Sequence, residues 1–404
     1  MLPGAIVIGT DTPIGLTVIR ELGGHGVPVH GVGRPRSLGA ASRHCRGFTV
    51  RPRAPIGDWL PGLISQTGAG AVFAISEGDL VALAALPSVI HGCLILTPQA
   101  GPLATVLDKQ RTLATARLLG IATPPSWQPD AGADFAAHAA TLRYPVVAKW
   151  RDPAAVAPAL EAAGLPLVKA EFALDKHALV ALLDRYRAIG DWPLIQHYCP
   201  GTGLGQMIHM HAGMATLTFQ HRRLREWPPE GGVSTDCVAE PRARHTAQME
   251  KSIALLAAIG WEGPAMVEYR FDAATGSYWL MEINGRFWGS LPLASQSGAH
   301  FAWEAYRRMV LGDATHAPVP RDGGRARYLL PATRRLGRVL FARHRIADPM
   351  FVARPFADLA AYAGGFFDLR LGHYVISLSD PGPMLSDVRT ILGKLSRRGA
   401  ARPE

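Results

Sequence analysis

Two runs near residue 270 constrain this chain more than any other feature. Met266-Val-Glu-Tyr-Arg-Phe-Asp272 and Trp279-Leu-Met-Glu-Ile-Asn-Gly-Arg286 are apolar-alternating segments joined by Ala-Ala-Thr-Gly-Ser, which predicts an antiparallel hairpin. Side chains alternate with a period of two along a strand. Glu268, Arg270 and Asp272 therefore share one face, and Val267, Tyr269 and Phe271 the other. On the second strand Glu282, Asn284 and Arg286 lie opposite Met281, Ile283 and Phe287. Carboxylates on neighbouring strands repel unless a cation lies between them. Two carboxylates and an amide oxygen form a hard, all-oxygen donor set that suits Mg²⁺, which completes its octahedron with water and phosphate oxygens. Taken alone, the same face reads equally well as the solvated side of a hairpin with Glu and Arg paired across the strands.

The surrounding chain is α/β. Ala5-Ile-Val-Ile-Gly9, the stretch Ile14–Leu22 opened by Pro13, and Val27–Val32 predict strand, helix and strand, hence a parallel sheet. Gly9 and Gly15 do not form GxGxxG, so a dinucleotide fingerprint is missing. Further strands are expected at 71–75 and 93–96, followed by a helix from Leu107 that stops at Gly120. The short run Tyr144-Pro-Val-Val-Ala-Lys149 reads as a buried strand and 151–166 as a loop. Then come a strand at 167–172, a helix at 176–188 with a Gly190 stop and a strand at 194–198. A turn over 200–205, a hairpin around Ala212-Gly213 and a helix at 247–259 complete the order.

At 404 residues the chain is long enough for two to four packed units, and 48% apolar residues supply their cores. The most apolar stretch, 72–96, is interrupted by Glu77, Asp79, Pro87 and His91 and is no membrane span. Cys45, Cys93, Cys199 and Cys237 are widely spaced without a CxxC pair, which speaks against a zinc site or a disulfide framework and for a reducing, cytoplasmic setting. The net charge of +10 is uneven. Residues 321–404 hold 15 basic and seven acidic side chains, a net of +8, so the first 320 residues carry only +2. A nearly neutral body argues against nucleic acid as the main partner.

In this setting the sequence resembles the ATP-grasp ligase superfamily, the group that includes biotin carboxylase, D-alanine ligase and the large chain of carbamoyl phosphate synthetase. Glu268 followed by Glu282-Ile-Asn-Gly-Arg286 is similar to its metal-binding signature, Asp108-Lys109 with Gly120-Ile-Ala-Thr-Pro124 to its opening helix, and Lys149 to its phosphate-contacting lysine. Leu194-Ile-Gln-His-Tyr-Cys-Pro-Gly201 resembles the hinge strand that pairs with adenine. Four motifs in the right order over about 180 residues are more specific than any one of them.

The resemblance implies an α/β and α+β architecture: an N-terminal parallel α/β domain (1–105), a small lobe with the opening helix (106–190), a large lobe with the metal site (191–312) and a basic C-terminal extension (313–404). It implies ATP and Mg²⁺ (or Mn²⁺) as cofactors, with the metal on Glu268, Glu282 and Asn284. Lys109, Lys149, Lys169, Gln196, His197 and Tyr198 would hold the nucleotide. Arg286 would steady the transferred phosphoryl group or the acyl intermediate; Arg223 and Arg225, close to a Pro-Pro-Glu-Gly-Gly turn, read as lining a site for an anionic substrate and an acyl phosphate or as a basic surface hairpin. The expected substrates are a small-molecule carboxylate and an amine. Carboxylation, phosphoryl transfer to another acceptor, and a non-catalytic nucleotide-binding protein with a docking C-terminus are the rival readings, and a homo-oligomer is compatible with all of them.

Two departures stand out. Gln196 replaces an acidic hinge residue, and the loop after Lys149 lacks the glycines that fold backbone amides over phosphates, which shifts ground-state charge onto Lys149 and Lys109 or brings in Arg151. Lys169 reads as a second phosphate contact or as a solvated strand edge. His209 and His211 share a strand face without a third ligand. Trp288 reads as a pocket wall or as core. Residues 333–346 have an arginine-rich amphipathic pattern that fits either packing on the body or docking on an anionic surface.

Overall fold

The computed structural model describes residues 1–168 and 170–388. The first unit is β1 (Gly4–Ile8), α1 (Pro13–Gly24), β2 (Val29–Gly33), β3 (Cys45–Val50), α2 (Ile56–Thr67), β4 (Ala69–Ala74), α3 (Glu77–Ala84), β5 (Val89–Ile90) and β6 (Cys93–Ile95). Its sheet runs β3-β2-β1-β4-β6-β5, parallel throughout except at β5. Thr12 caps α1 by accepting from Gly15 N, with Pro13 at the first helical position, where no N–H is needed. Strand β3 is an addition to the expected set. Its sequence, Cys-Arg-Gly-Phe-Thr-Val, has no clean alternation and its faces are mostly half-buried.

Helices α4 (Ala100–Leu107) and α5 (Lys109–Leu118) lead to a small lobe of β7 (Ser126–Trp127), α6 (Phe135–Thr141), β8 (Val146–Lys149), α7 (Pro153–Ala162), β9 (Glu171–Ala173), α8 (Lys176–Arg185) and β10 (Leu194–His197). Its sheet order is β7-β10-β8-β9, antiparallel, with Trp150, Trp192, Phe135 and Leu183 in a separate core. Most of the expected loop over 151–166 is instead α7, with 163–166 left outside it. Alanines carry this helix, and a proline at 158 within it hid the pattern.

The large lobe holds β11 (Thr202–His211), β12 (Met214–Trp227), β13 (Val233–Ala239), α9 (Thr246–Ile259), β14 (Gly263–Asp272), β15 (Ser277–Asn284), α10 (Leu291–Gln296) and α11 (Phe301–Met309). It continues through β16 (Arg325–Arg327), α12 (Leu329–Phe341), α13 (Pro355–Gly364) and β17 (Leu371–His373) in one sheet, ordered β15-β14-β11-β12-β13-β16-β17. The basic C-terminal segment is thus built into the body, at least to residue 388. Strand β16 pairs with β13, and Arg327 is buried against Asp236 at 2.7 Å. The arginine-rich stretch is α12, with Ala332, Arg335 and Val339 buried and Arg335 paired with Asp358 of α13 at 3.0 Å. The expected turn over 200–205 ends early, since β11 starts at Thr202.

Candidate active site

The hairpin β14–β15 places Glu268 directly across from Glu282, and Met266 across from Asn284. The acids therefore share the face that alternation assigned to them, next to an almost fully buried Asn284. A bulge between Glu268 and Tyr269 shifts the register, so that Leu280 fills the core opposite Tyr269. Met281, expected in that core, is only partly buried. Gly285 has to be glycine: a Cβ there would lie 2.4 Å from the Trp261 ring.

Cations surround the two carboxylates. Asp108 caps α5 through Gln110 N (2.8 Å) and Arg111 N (3.1 Å), which makes Lys109 the first helical residue and brings its Nζ to 3.7 Å from Glu282 Oε2. Arg223 Nη2 donates to Glu268 Oε2 at 2.5 Å and Nη1 to Gly232 O at 3.1 Å. Its stem passes over Gly203, where a Cβ would meet Arg223 Cδ at 2.7 Å. Burial disfavours the Arg223 charge, but Glu268, Glu226 and Glu282 outweigh it and hold the guanidinium above its ordinary range. Asn284 Nδ2 lies 3.4 Å from Glu282 Oε1. Arg286 Nε donates to Glu77 Oε1 at 3.1 Å, which ties the signature strand to the start of α3 in the first unit.

Arg225 lies elsewhere. Register shifts on either side of it make Arg223 pair with Cys237 but Arg225 with Asp236, so the two arginines point to opposite faces. Arg225 Nε bonds Asp358 of α13 at 3.0 Å, beneath the C-terminal helices. The same irregularity returns Glu226 to the Arg223 side at 3.7 Å. Glu226 was not anticipated, because a bulge has no residue-type signature in Arg-Arg-Leu-Arg-Glu.

In the small lobe, Lys149 ends β8 opposite Leu194. Its charge reaches Cys199, whose thiol burial pushes up to about 11. Gln196 is buried on β10 between Ser126 and Val147, with Nε2 donating to Ser126 Oγ at 3.3 Å. His197 N donates to Pro125 O and Tyr198 N to Pro145 O, so both hinge amides are engaged within the lobe. Burial and then the Asp348 charge push the Tyr198 phenol up, against Arg270. Lys169 lies outside the described residues.

The remaining candidates resolve as structure. His209 is fully buried on Thr216 and His211 lies 3.6 Å from Glu262, and among the described residues no group of three His, Cys, Asp or Glu could hold a metal. Trp288 is core, edge-on to Phe301. Cys93, Cys199 and Cys237 are buried with thiols pushed up by burial. His221, next to Arg223, is pushed down to about 3 by burial and the guanidinium, and shares a hydrogen bond with Ser290 Oγ at 2.9 Å.

No protein-family model and no curated protein matches this sequence. Solved structures do. The biotin carboxylase domain of the Hydrogenobacter thermophilus 2-oxoglutarate carboxylase, in complex with MgADP, ADP and bicarbonate, is similar at a TM-score of 0.60 and 13% identity, covering 80% of this chain and 74% of that one. Biotin carboxylase from Campylobacter jejuni, in a β,γ-ATP complex, has a TM-score of 0.61 at 14% identity, with 80% and 74% covered. This chain has the ATP-grasp fold. N5-carboxyaminoimidazole synthetase from Staphylococcus aureus, complexed with ADP, extends the likeness at a TM-score of 0.56 and 13% identity over 78% of each chain. Strands β7–β10 form one sheet, so β10 (Leu194–His197) joins the unit expected over 106–190 and not the one expected over 191–312.

Proposed function

We propose that this protein is an ATP- and Mg²⁺-dependent ligase that activates a carboxylate for attack by an amine. The observation that carries this reading is the opposed Glu268–Glu282 pair with Asn284, flanked by Lys109, Arg223 and Arg286, on an ATP-grasp fold. The donor set fits Mg²⁺: two carboxylates and an amide, too few to saturate the ion, match a metal that keeps water and phosphate oxygens in its shell. When bound, the metal neutralises charge on the terminal phosphates of ATP.

The chain's own residues do the rest. Lys149 and Lys109 gather phosphate charge from the two lobes, and Gln196, His197 and Tyr198 line the adenine side. A substrate carboxylate oxygen attacks the γ-phosphorus, the bond to ADP breaks, and an acyl phosphate forms. The amine nitrogen then attacks the acyl carbon, phosphate leaves and the amine loses a proton, giving an amide. Arg286 and Arg223 steady the oxygens that gain charge in both steps. No enzyme nucleophile is needed. Arg225, turned to Asp358, acts on this site only by holding the C-terminal helices against β12.

The test uses the nucleotide first and the acceptor second. MgADP is expected to raise the melting temperature by several degrees, and Glu282→Gln, at a side chain 39% exposed, to abolish that rise with little change in the melting of the free protein. A retained rise removes the metal assignment. Screening carboxylate and amine pairs for ADP release, with product analysis, then separates the reactions. An amide supports the ligase, whereas a carboxylated or stable phosphorylated product replaces it.

A further inference from the structure

Far from the signature face, a cavity of about 880 Å³ opens between α1, the end of α10, the loop before β16 and the segment around β17. Its volume lies within the range of small-molecule sites, roughly 300–1,000 Å³. Four arginines line it against two acids. Arg20 is taken by Asp380 at 2.9 Å and Arg325 by Asp368 at 3.5 Å. Arg321 and Arg370 are exposed and, among the described residues, have no carboxylate within ion-pair distance. Two guanidinium groups without a carboxylate partner, Arg321 with Nη2 donating to Gln296 O at 2.8 Å, therefore face one concavity whose other acid is the exposed Asp322.

The wall between them is polar and incompletely satisfied. Ser297 is 3% exposed, yet its Oγ has no hydrogen-bond partner, and the buried Nδ1 of His373 has none either. An orphaned buried hydroxyl is destabilising unless something beside it supplies a partner. The backbone also comes close here. A Cβ at Gly372 would lie 1.9 Å from Gln296 Oε1, and one at Gly324 would lie 3.0 Å from Ser297 Oγ, so side chains larger than glycine would close the floor.

We propose that this cavity is a second ligand site that takes a phosphate-bearing small molecule. Guanidinium groups bind phosphate oxygens bidentately, and a serine hydroxyl and an imidazole nitrogen can complete the oxygen shell. The site is separate from the proposed nucleotide cleft. Strand β17 lies five strand steps from β14 in the large sheet, about 24 Å at ~4.8 Å per step. Concavity distinguishes the ligand from a polymer, because the unpaired arginines line a hollow and not a flat stripe.

The probe is pyrophosphate, titrated calorimetrically into the full chain at about 150 mM salt to suppress loose surface attraction. EDTA is present, so that no divalent ion recruits the probe to Glu268 and Glu282. The wild type and Lys149→Gln are expected to bind alike. Arg321→Gln and Arg370→Gln should each weaken binding about tenfold or more, and the double variant should abolish it, with unchanged melting temperatures. Loss of binding in Lys149→Gln, retention in the double variant, or no binding by the wild type at millimolar pyrophosphate would each overturn the proposal. So would binding of an oligonucleotide, lost in the double variant, where pyrophosphate does not bind. Because the titration contains no metal, it can fail while the ligase reading stands, and the reverse.

Discussion

Ion pairs in the cleft and ion pairs in the joints of this molecule differ in how far water reaches them. Lys109 and Glu282 are 36% and 39% exposed, and Arg286 and Glu77 are 27% and 48% exposed. Where the C-terminal segment joins the large sheet, Arg327 and Asp236 are 1% and 3% exposed. An open pair contributes little to stability and exchanges readily with a ligand's charges, whereas a closed pair is costly once one partner is removed. The third cleft pair, Arg223 and Glu268 at 12% and 14% exposed, lies between the two, so burial grades these pairs without sorting them by role.

The largest effect that tests this contrast is Asp236→Asn. It leaves the Arg327 guanidinium buried without its carboxylate, and breaking such a pair costs about 3–5 kcal/mol. The carbonyls of Tyr362 and Ala361, which accept from Arg327 at 2.9 and 3.2 Å, keep the loss near the lower end. Chemical denaturation should show the drop, and hydrogen exchange should show it concentrated in β16, α12 and α13. A change below about 1 kcal/mol would mean that the C-terminal segment is held by apolar packing alone.

A second joint gives a pH signature. Glu21 of α1 is buried against the start of α11, where its carboxylate accepts from Ala302 N at 2.7 Å and Trp303 N at 3.3 Å. Burial nevertheless pushes its carboxyl up from 4.5 to about 8. Between these values the folded chain holds a proton that the unfolded chain has released. Stability should therefore fall as pH rises from about 4.5 to 8 and level off beyond, by at most about 5 kcal/mol at 1.36 kcal/mol per unit. Glu21→Gln should flatten that slope in a series of urea melts. An unaltered slope would assign it to other groups.

How much of this was legible beforehand depends on the local signal. Strands β8, β10, β14 and β15 were readable because apolar runs and alternation are local, and the Glu268–Glu282 opposition followed from the hairpin. The face of Arg225 was not readable, because one extra residue in a strand reverses every later side chain without any marker in composition. Helix α7 was missed behind its internal proline. The contact of Arg286 with Glu77 spans 209 positions, and β16 and β17 are three residues each, so neither leaves a periodic trace. The excess charge of the C-terminal segment suggested a separate extension, yet Arg327 and Arg335 are buried in its packing against the sheet.

The smallest expected change in stability belongs to Lys109→Gln, and its smallness is what makes it informative. The lysine caps no other group in the described structure beyond its 3.7 Å approach to Glu282, and at that exposure the pair contributes only about 0–1 kcal/mol. The helix it opens keeps its Asp108 cap, whose bonds to Gln110 N and Arg111 N do not involve the lysine side chain. The melting temperature of the free protein should hardly move. If Lys109 gathers phosphate charge as proposed, MgADP affinity should nevertheless fall about tenfold or more, since a charge-assisted contact to phosphate is lost. Equal small effects on melting and on affinity would make Lys109 a solvated helix-start residue. A large loss of stability with affinity preserved would reverse the contrast between cleft and joint, and would place this pair among the structural ones.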